Sequence, residues 1–310
     1  MDTQGNLAQI SEMSEEQARA YLEGIRWPHG PSCPKCGDTA ITRLQGKSTR
    51  PGVYKCKGCR KPFTVTVGTI FEDSHIPLRK WVLAFHLMCS SKKGISALQL
   101  QRNLGLGSYK SAWHLAHRIR HAMRSEPLAS LLKGTVEVDE TYVGGKPRFP
   151  QKQGGPKIRE KRSSKVPVLV LVERGGNARV KPLDVVTGKN LKSAIRENVD
   201  RSSEIMTDEH KGYFGIGREF AGGHHTTNHL RREYLRGHVH SNTAESFFAL
   251  LKRGVHGTFH HVSKKHLHRY CDEFGFRWNH RKTTDAERAV AAMGMSEGKR
   301  LAYRSVSKPA

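Results

Sequence analysis

Negative charge is scarce in this chain of 310 residues: 28 Asp and Glu stand against 53 Lys and Arg, a formal net charge of +25. That excess goes beyond what solubility requires. The basic residues are spread along the whole chain, which points to a polyanion-binding surface built by several segments, and nucleic acid is the expected partner. A basic membrane-surface protein is the alternative, but no long amphipathic basic helix supports it. Long hydrophobic runs are also missing. No stretch of about 18 apolar residues occurs, so no membrane-spanning helix is expected. Residues 1–16 are polar and acidic, unlike a signal peptide, and a cytoplasmic location is expected. What remains is a hydrophobic content of 36%, enough for at least one core, in a length that suits about two or three domains.

Cysteine is sparse too, with six residues, but four of them are paired. Cys33-Pro34-Lys35-Cys36 and Cys56-Lys57-Gly58-Cys59 are separated by 19 residues, the two-knuckle spacing of a structural zinc site. Disulfides are the alternative, disfavoured in a reducing compartment, and a redox Cys-x-x-Cys would need no second copy. About 35 residues bury too little surface to fold alone, whereas a bound Zn²⁺ can fold them. With four protein ligands the ion would have no open position and would be structural. Lys35, Lys55, Lys57, Arg60 and Lys61 surround the knuckles. The alternation of Phe63, Val65 and Val67 with Thr64 and Thr66 predicts a closing strand. Cys89 and Cys271 stand alone in apolar helices and read as small core residues.

Ser14 with Gln17 marks the capping-box start of a helix over about 14–25. Residues 76–124 are helical, with Leu78, Trp81, Phe85 and Met88 at helical spacing. Two further helices, about 95–104 and 108–123, are joined by Gly105-Leu106-Gly107. On the last of these, Tyr109, Ala112, Trp113, Ala116 and Ile119 form an apolar face, while Lys110, His114, His117 and His121 form another. This layout predicts a helix-turn-helix with a basic reading face. An ordinary helical bundle with one solvated side is the other reading.

Strands are expected at 135–143, 166–172, 178–186 and 204–207, and helices at 191–199, 241–253 and about 264–281. This alternation indicates an α/β sheet. Residues 146–165 hold eight Lys and Arg, one Glu and five Gly and Pro, and read as a mobile basic loop that contacts DNA, as do Arg231, Arg232 and Arg236. Residues after about 295 read as disordered. Of the 18 histidines, the pairs His224-His225 and His260-His261 have ligand chemistry, but surface or capped positions near phosphate account for them better. His240 lies two residues before Asn242, where an approach to the acids discussed next is open to it.

On a strand, Glu137, Asp139 and Thr141 share one face, and Val136, Val138 and Tyr142 the other. A mid-strand carboxylate alone more often faces water. Here Gly144-Gly145 ends the strand directly, Asp208 ends another strand, and Glu245 sits in the first turns of a helix, where it suits the dipole. Three close carboxylates would repel, and at least one would hold a proton. Bound Mg²⁺ or Mn²⁺ removes that conflict, and two such ions can align an in-line phosphoryl displacement.

These residues carry a resemblance. Val136-Glu137-Val138-Asp139-Glu140-Thr141-Tyr142-Val143, Asp208-Glu209-His210-Lys211-Gly212-Tyr213 and His240-Ser241-Asn242-Thr243-Ala244-Glu245-Ser246-Phe247-Phe248 look like the motifs of bacterial insertion-sequence DDE transposases. The group in question joins an N-terminal zinc ribbon to a ribonuclease-H-like catalytic domain. Arg26-Trp27-Pro28 and Phe276-Arg277-Trp278-Asn279-His280-Arg281 fit the same group, and the match runs from about residue 12 to 285. It implies a mixed α/β sheet flanked by helices, preceded by the ribbon and a small helix-turn-helix-like domain. The expected division is 1–30 lead-in helix, 31–68 zinc ribbon, 75–125 helix-turn-helix-like, 133–285 ribonuclease-H-like and 286–310 C-terminal tail. It further implies Asp139, Asp208 and Glu245 as catalytic metal ligands, Lys252 on the helix of Glu245 as a DNA contact, and Asn242 as a rival or auxiliary to Glu245. Lys110, His114 and His117 are the expected DNA-binding residues of the helical domain. The implied activity is binding of terminal inverted repeats, metal-dependent hydrolysis that frees a 3′-hydroxyl, and joining of that hydroxyl to target DNA. The working complex is expected to be a homo-oligomer. A non-catalytic DNA-binding regulator, a nuclease on the same fold and tyrosine or serine recombination are the alternatives.

Overall fold

The computed structural model describes residues 7–124, 130–144, 165–227 and 236–303. The chain forms two compact units, Met1–Arg124 with His280–Ala310, and Ser125–Asn279. The basic stretch 145–164 and Arg231 and Arg232 lie outside the described residues. Among the described residues no helix is long and apolar enough to cross a membrane.

The first unit starts with α1 (Leu7–Ser11) and α2 (Glu15–Arg26), the latter opened by the Ser14–Gln17 capping box. An antiparallel sheet follows, β1 (Ile41–Arg43), β2 (Tyr54–Cys56) and β3 (Pro62–Phe63), in the order β1-β2-β3. The closing strand is shorter than the Thr-Val alternation predicts. The chain turns at 65–68 instead, and Arg26 Nη1 takes the carbonyls of Val65 and Val67 at 2.7 and 2.8 Å. Trp27, Tyr54 and Phe63 pack as an aromatic cluster with ring centroids 5.6–5.8 Å apart, so the ribbon has a small core of its own.

The four paired cysteines converge. Their sulfurs all lie within 4.8 Å of one another, with Cys33–Cys59 and Cys36–Cys56 each at 3.6 Å. A tetrahedral ion with bonds of about 2.3 Å needs sulfurs roughly 3.8 Å apart. A disulfide would need about 2.05 Å, and all six cysteines are free. The donor set and spacing therefore support a structural zinc. Burial opposes ionisation of Cys33, but N–H groups of Lys35 and Cys36 and the Cys59 thiol bring its pKa down to about 7, towards the thiolate a metal needs. A side chain at Gly58 would collide with the Asp38 carboxylate, which accepts from Ala40 N at 2.8 Å and braces the second knuckle. Cys89 and Cys271 are buried core residues, as expected.

Beyond the ribbon come α3 (Leu78–Ser90), α4 (Ala97–Leu104) and α5 (Tyr109–Ala122). Ser96 and Ser108 cap α4 and α5, and Gly105, at φ +56°, lets the chain turn left-handed between them. The Glu15 carboxylate accepts from Leu78 N and Arg79 N, capping α3 in place of Pro77.

The second unit holds β4 (Thr135–Val143), β5 (Val166–Glu173), β6 (Ala178–Pro182), α6 (Gly188–Asn198), β7 (Glu204–Thr207), β8 (His224–Thr226), α7 (Asn242–Gly254) and α8 (Leu267–Asn279). The strands form one mixed sheet in the order β6-β5-β4-β7-β8. β4, β5 and β6 pair antiparallel, and β7 and β8 join parallel. This mixed order with helices on both faces is the ribonuclease-H-like arrangement expected. Strand β8 was not foreseen, and β6 ends at Pro182 rather than 186. One face packs Val143, Val168, Val170 and Val172 against Phe247, Leu251, Cys271 and Phe274 of α7 and α8. The other packs Val136, Val138, Leu169 and Leu171 against Leu191 and Ile195 of α6 and against Tyr213 and Ile216. β5, an interior strand covered on both faces, is accordingly the near-continuous apolar run Val166–Val172. Asn279 pins the end of α8 to the sheet by bonding both N–H and C=O of Ala178.

Residues 286–310 are not a detached tail where they are described. The second unit ends at Asn279, and the chain returns to the first unit as α9 (Asp285–Gly294), whose own capping box uses Thr284 and Glu287. α9 packs on α3, α2 and α5, burying Ala289, Ala292 and Met293. Within residues 296–303, Glu297 bridges to Thr69 and takes Arg26 at 3.1 Å, and Lys299 Nζ reaches Ala122 O and Arg124 O. The small apolar face Ala-Val-Ala-Ala-Met is too short to stand out against a charged terminus.

Two stability predictions arise. Removing zinc with a strong chelator, or replacing Cys36 by Ser, should unfold the ribbon and release one Zn²⁺ per chain. Zinc content and loss of the tryptophan signal of Trp27 on chelation check this. His86 is buried on α3, and burial lowers its pKa to about 4 despite Asp285 nearby. The unfolded imidazole binds its proton near pH 6.5, so the unfolded state holds the extra proton between about 6.5 and 4, and stability falls as pH drops through that window. From pH 6.5 to 5 the decline should be shallower by about 2 kcal/mol in His86→Phe than in the parent, read by urea unfolding.

Candidate active site

Register brings the first two acids together. Thr135, Val136 and Glu137 of β4 pair in parallel with Glu204, Ile205 and Met206 of β7. Two residues further on, Asp139 stands level with Asp208, on neighbouring strands whose spacing is about 4.8 Å. Asp139 is partly buried, and burial raises its carboxyl pKa to about 7, with the negative charges of Asp208, Glu140 and Glu245 pushing the same way. The opposing influence is the Glu140 N–H, which donates to Asp139 Oδ1 at 2.7 Å. Asp208 Oδ1 accepts from His210 N at 3.0 Å. The third acid, Glu245, lies exposed in the first turn of α7. Asn242, Glu245, Ala249 and Lys252 are all exposed and fall on one face of that helix.

Asp139 and Glu140 point to opposite faces of β4. Glu140 accepts a hydrogen bond from the fully buried Tyr213 hydroxyl. Burial raises the pKa of Glu140, Tyr213 opposes the rise, and Asp208 adds to it. Sequence reading gave Tyr213 no role. The fold makes it the support of a carboxylate beside Asp139.

Glu137 is the residue most clearly missed. It has no exposed surface and is ringed by donors. Arg174 Nε reaches Oε1 at 2.6 Å, Thr243 Oγ1 reaches Oε1 at 2.9 Å, and Thr243 N and Ala244 N reach Oε2 at 2.7 and 3.0 Å. His240 Nδ1 stands 3.2 Å from Oε1, so His240 does come to the site, against Glu137 rather than Asp139. The available signal was an acid two residues from Asp139 on the same strand face. Its partners could not be seen without the fold.

Among the described residues only the cysteine cage brings three or more ligand atoms within 4.8 Å of one another. His224 and His225 form no such group: His224 Nε2 bonds Thr207 Oγ1 at 2.8 Å, and His225 Nε2 stands 3.1 Å from Glu204.

The expected reading face of α5 is only partly present. Lys110 is exposed in the first turn, and His114 is half-buried against Tyr303. His117 is fully buried, its ring 4.0 Å from that of Trp113, so it cannot reach DNA directly. Tyr109, expected in the apolar face, is 52% exposed. α4, α3 and α9 all pack on α5, and its residues 115–120 are buried while its first turn stays exposed.

Comparison with known proteins agrees with this architecture. Residues 131–279 match the ISXO2-like transposase domain, and residues 13–62 match the transposase zinc-ribbon domain. A relative from Halobacterium salinarum, described as an uncharacterized protein in transposable element ISH50, is 30% identical over 274 residues, covering 86% of this chain and 91% of the relative. Among solved structures, a pre-cleavage Mos1 transpososome is 14% identical, covering 64% of this chain and 74% of that one at a TM-score of 0.24. A Mos1 strand transfer complex is 12% identical, covering 68% and 73% at a TM-score of 0.26. Ribbon, sheet order and relatives agree: the chain belongs to the insertion-sequence transposases that join an N-terminal zinc ribbon to an ISXO2-like transposase domain, and it is a DNA transposase.

Proposed function

We propose that Asp139, Asp208 and Glu245 are the catalytic carboxylates of this transposase and hold two Mg²⁺ or Mn²⁺ ions while element ends are cut and joined to target DNA. The observation that carries this reading is the parallel register of β4 and β7 that sets Asp139 level with Asp208; burial first, and then the charges of Asp208, Glu140 and Glu245, raise the pKa of Asp139 to about 7, and divalent cations would relieve that conflict. Hard cations prefer carboxylate oxygen, and Mg²⁺ keeps several waters. Bound divalent ions would neutralise the carboxylates and the charge on the phosphoryl group during in-line displacement.

The chain's own groups have separate tasks. The Glu140 N–H occupies one oxygen of Asp139 and the His210 N–H one oxygen of Asp208, and the other oxygen of each would take the ions. Glu245 completes the set from α7. Lys252, two turns on along the same face, contacts a DNA phosphate, and Asn242 is an auxiliary donor to the same strand. In the first step water attacks the phosphodiester at the element end, the bond to the 3′ oxygen breaks, and a 3′-hydroxyl is freed. In the second that hydroxyl attacks a target phosphate, and the target strand leaves with its own 3′-hydroxyl. The zinc ribbon and α4–α5 bind the terminal repeats, with Lys110 and His114 at the exposed start of α5, in a homo-oligomeric complex. The net charge of +25 supplies the general attraction to phosphate.

Asp139→Ala, Asp208→Ala and Glu245→Gln should each lower cleavage and joining by at least about 10²–10³-fold, with end binding unchanged, in assays of a labelled end and plasmid with Mg²⁺ or EDTA. Loss of end binding in these variants would make the acids structural, and cleavage of a precut-competent end without any joining would make the protein a nuclease. Binding to element ends should weaken about 10³–10⁵-fold between 50 and 200 mM salt if six to ten phosphates are contacted, as read by fluorescence anisotropy.

A further inference from the structure

A carboxylate taken wholly out of water persists only when its oxygens are fully hydrogen-bonded. Glu137 meets that condition through groups that nearly all belong to one place, the start of α7. Ser241, the residue placed to cap that helix, makes no side-chain cap bond. The orphan N–H groups of Thr243 and Ala244 are satisfied instead by Glu137, 106 and 107 residues away in sequence, at 2.7 and 3.0 Å. Arg174 completes the joint. Its Nε pairs with Glu137 at 2.6 Å, its Nη1 and Nη2 hold His238 O and His240 O at 2.7 and 2.9 Å, and its backbone N bonds Thr135 O at 3.0 Å. The segment leading into α7 and the helix itself are thus fastened to β4 by the buried Glu137 carboxylate and its half-buried partner Arg174.

The consequence lies in what is attached to each side of the joint. Asp139 is two residues from Glu137 on the same face of β4, about 6.7 Å along the strand. Glu245 is the residue after Ala244. The path from Asp139 to Glu245 therefore runs through strand, charge-assisted hydrogen bonds and the first helical turn, with no loop in it. We propose that Glu137 is a positioning residue, with Arg174 and Thr243 as its partners, that sets where Glu245 stands relative to Asp139. This rests on the reading of Asp139, Asp208 and Glu245 as the catalytic set.

The test uses the full chain with Mn²⁺ as probe, read by electron paramagnetic resonance of bound ion and by the Mn²⁺ dependence of end cleavage. Glu137→Gln keeps the shape but turns one acceptor into a donor aimed at other donors. It should weaken Mn²⁺ binding and raise the half-saturating Mn²⁺ concentration by about 10–100-fold, with end binding at the parent level. Thr243→Val, which loses only one bond to Glu137, should shift in the same direction by less and remains informative should Glu137→Gln fail to fold. Thr243→Ser should restore the parent behaviour. In a Glu245→Gln background neither change should weaken Mn²⁺ binding further, because both act through Glu245. A parental Mn²⁺ profile in both Glu137→Gln and Thr243→Val, or losses that add fully to that of Glu245→Gln, would overturn the proposal. Parental Mn²⁺ binding and cleavage in Glu245→Gln alone would instead remove the catalytic reading on which it rests.

Discussion

Glu137, Asp139, Glu140 and Asp208 lie on, or one residue beyond, two adjacent parallel strands, and like charges at that spacing repel. The fold answers each charge differently. Glu137 is neutralised by Arg174 and by the N-terminus of α7. Glu140 is turned to the opposite face and held by Tyr213. Among the described residues, Asp139 and Asp208 receive one backbone N–H each and form no ion pair. Negative charge is thus satisfied around the edge of the site and left unbalanced at its centre, where Asp139 is pushed to about 7.

The two units reach stability by different means. The catalytic unit has a central strand covered on both faces, with α7 and α8 on one side and α6 with the turns after β7 on the other. Such burial is proportional to apolar area and needs no metal. The ribbon has three short strands, a single aromatic cluster and four thiols in one cage. Its strands are too short to bury much, so ligand bonds and the bracing carboxylate of Asp38 take over. The chain's last described segment adds Glu297 and Lys299 as ties across the first unit, a contribution that arrives some 200 residues after the elements it holds.

Much of the fold was legible wherever a local rule set the outcome. The Ser14–Gln17 capping box, the left-handed turn at Gly105, the apolar run of β5 and the knuckle spacing of the four cysteines each depend on neighbours within a few residues or on a fixed ligand count. Failures fell where a distant element overrides the local pattern. His117 has the spacing of a surface position on α5 and is buried, in a helix on which α4, α3 and α9 all pack. The Thr64–Val67 alternation reads as strand and is a turn because Arg26 claims the carbonyls of Val65 and Val67. β8 holds only three residues, His224–Thr226, too few for a period to show.

The candidate site divides along the same line. Sequence by itself determined which carboxylates were available, the order in which they occur, and that a basic chain had reason to keep them, since residue type and spacing are local properties. That Asp208 comes level with Asp139 was decided by the parallel register of β4 and β7, and that Glu137 is sealed against Thr243 and Ala244 was decided by the docking of α7 on the sheet. Both are contacts between segments 69 to 107 residues apart. Pairing and burial over such separations depend on how whole faces pack, and no local pattern records it.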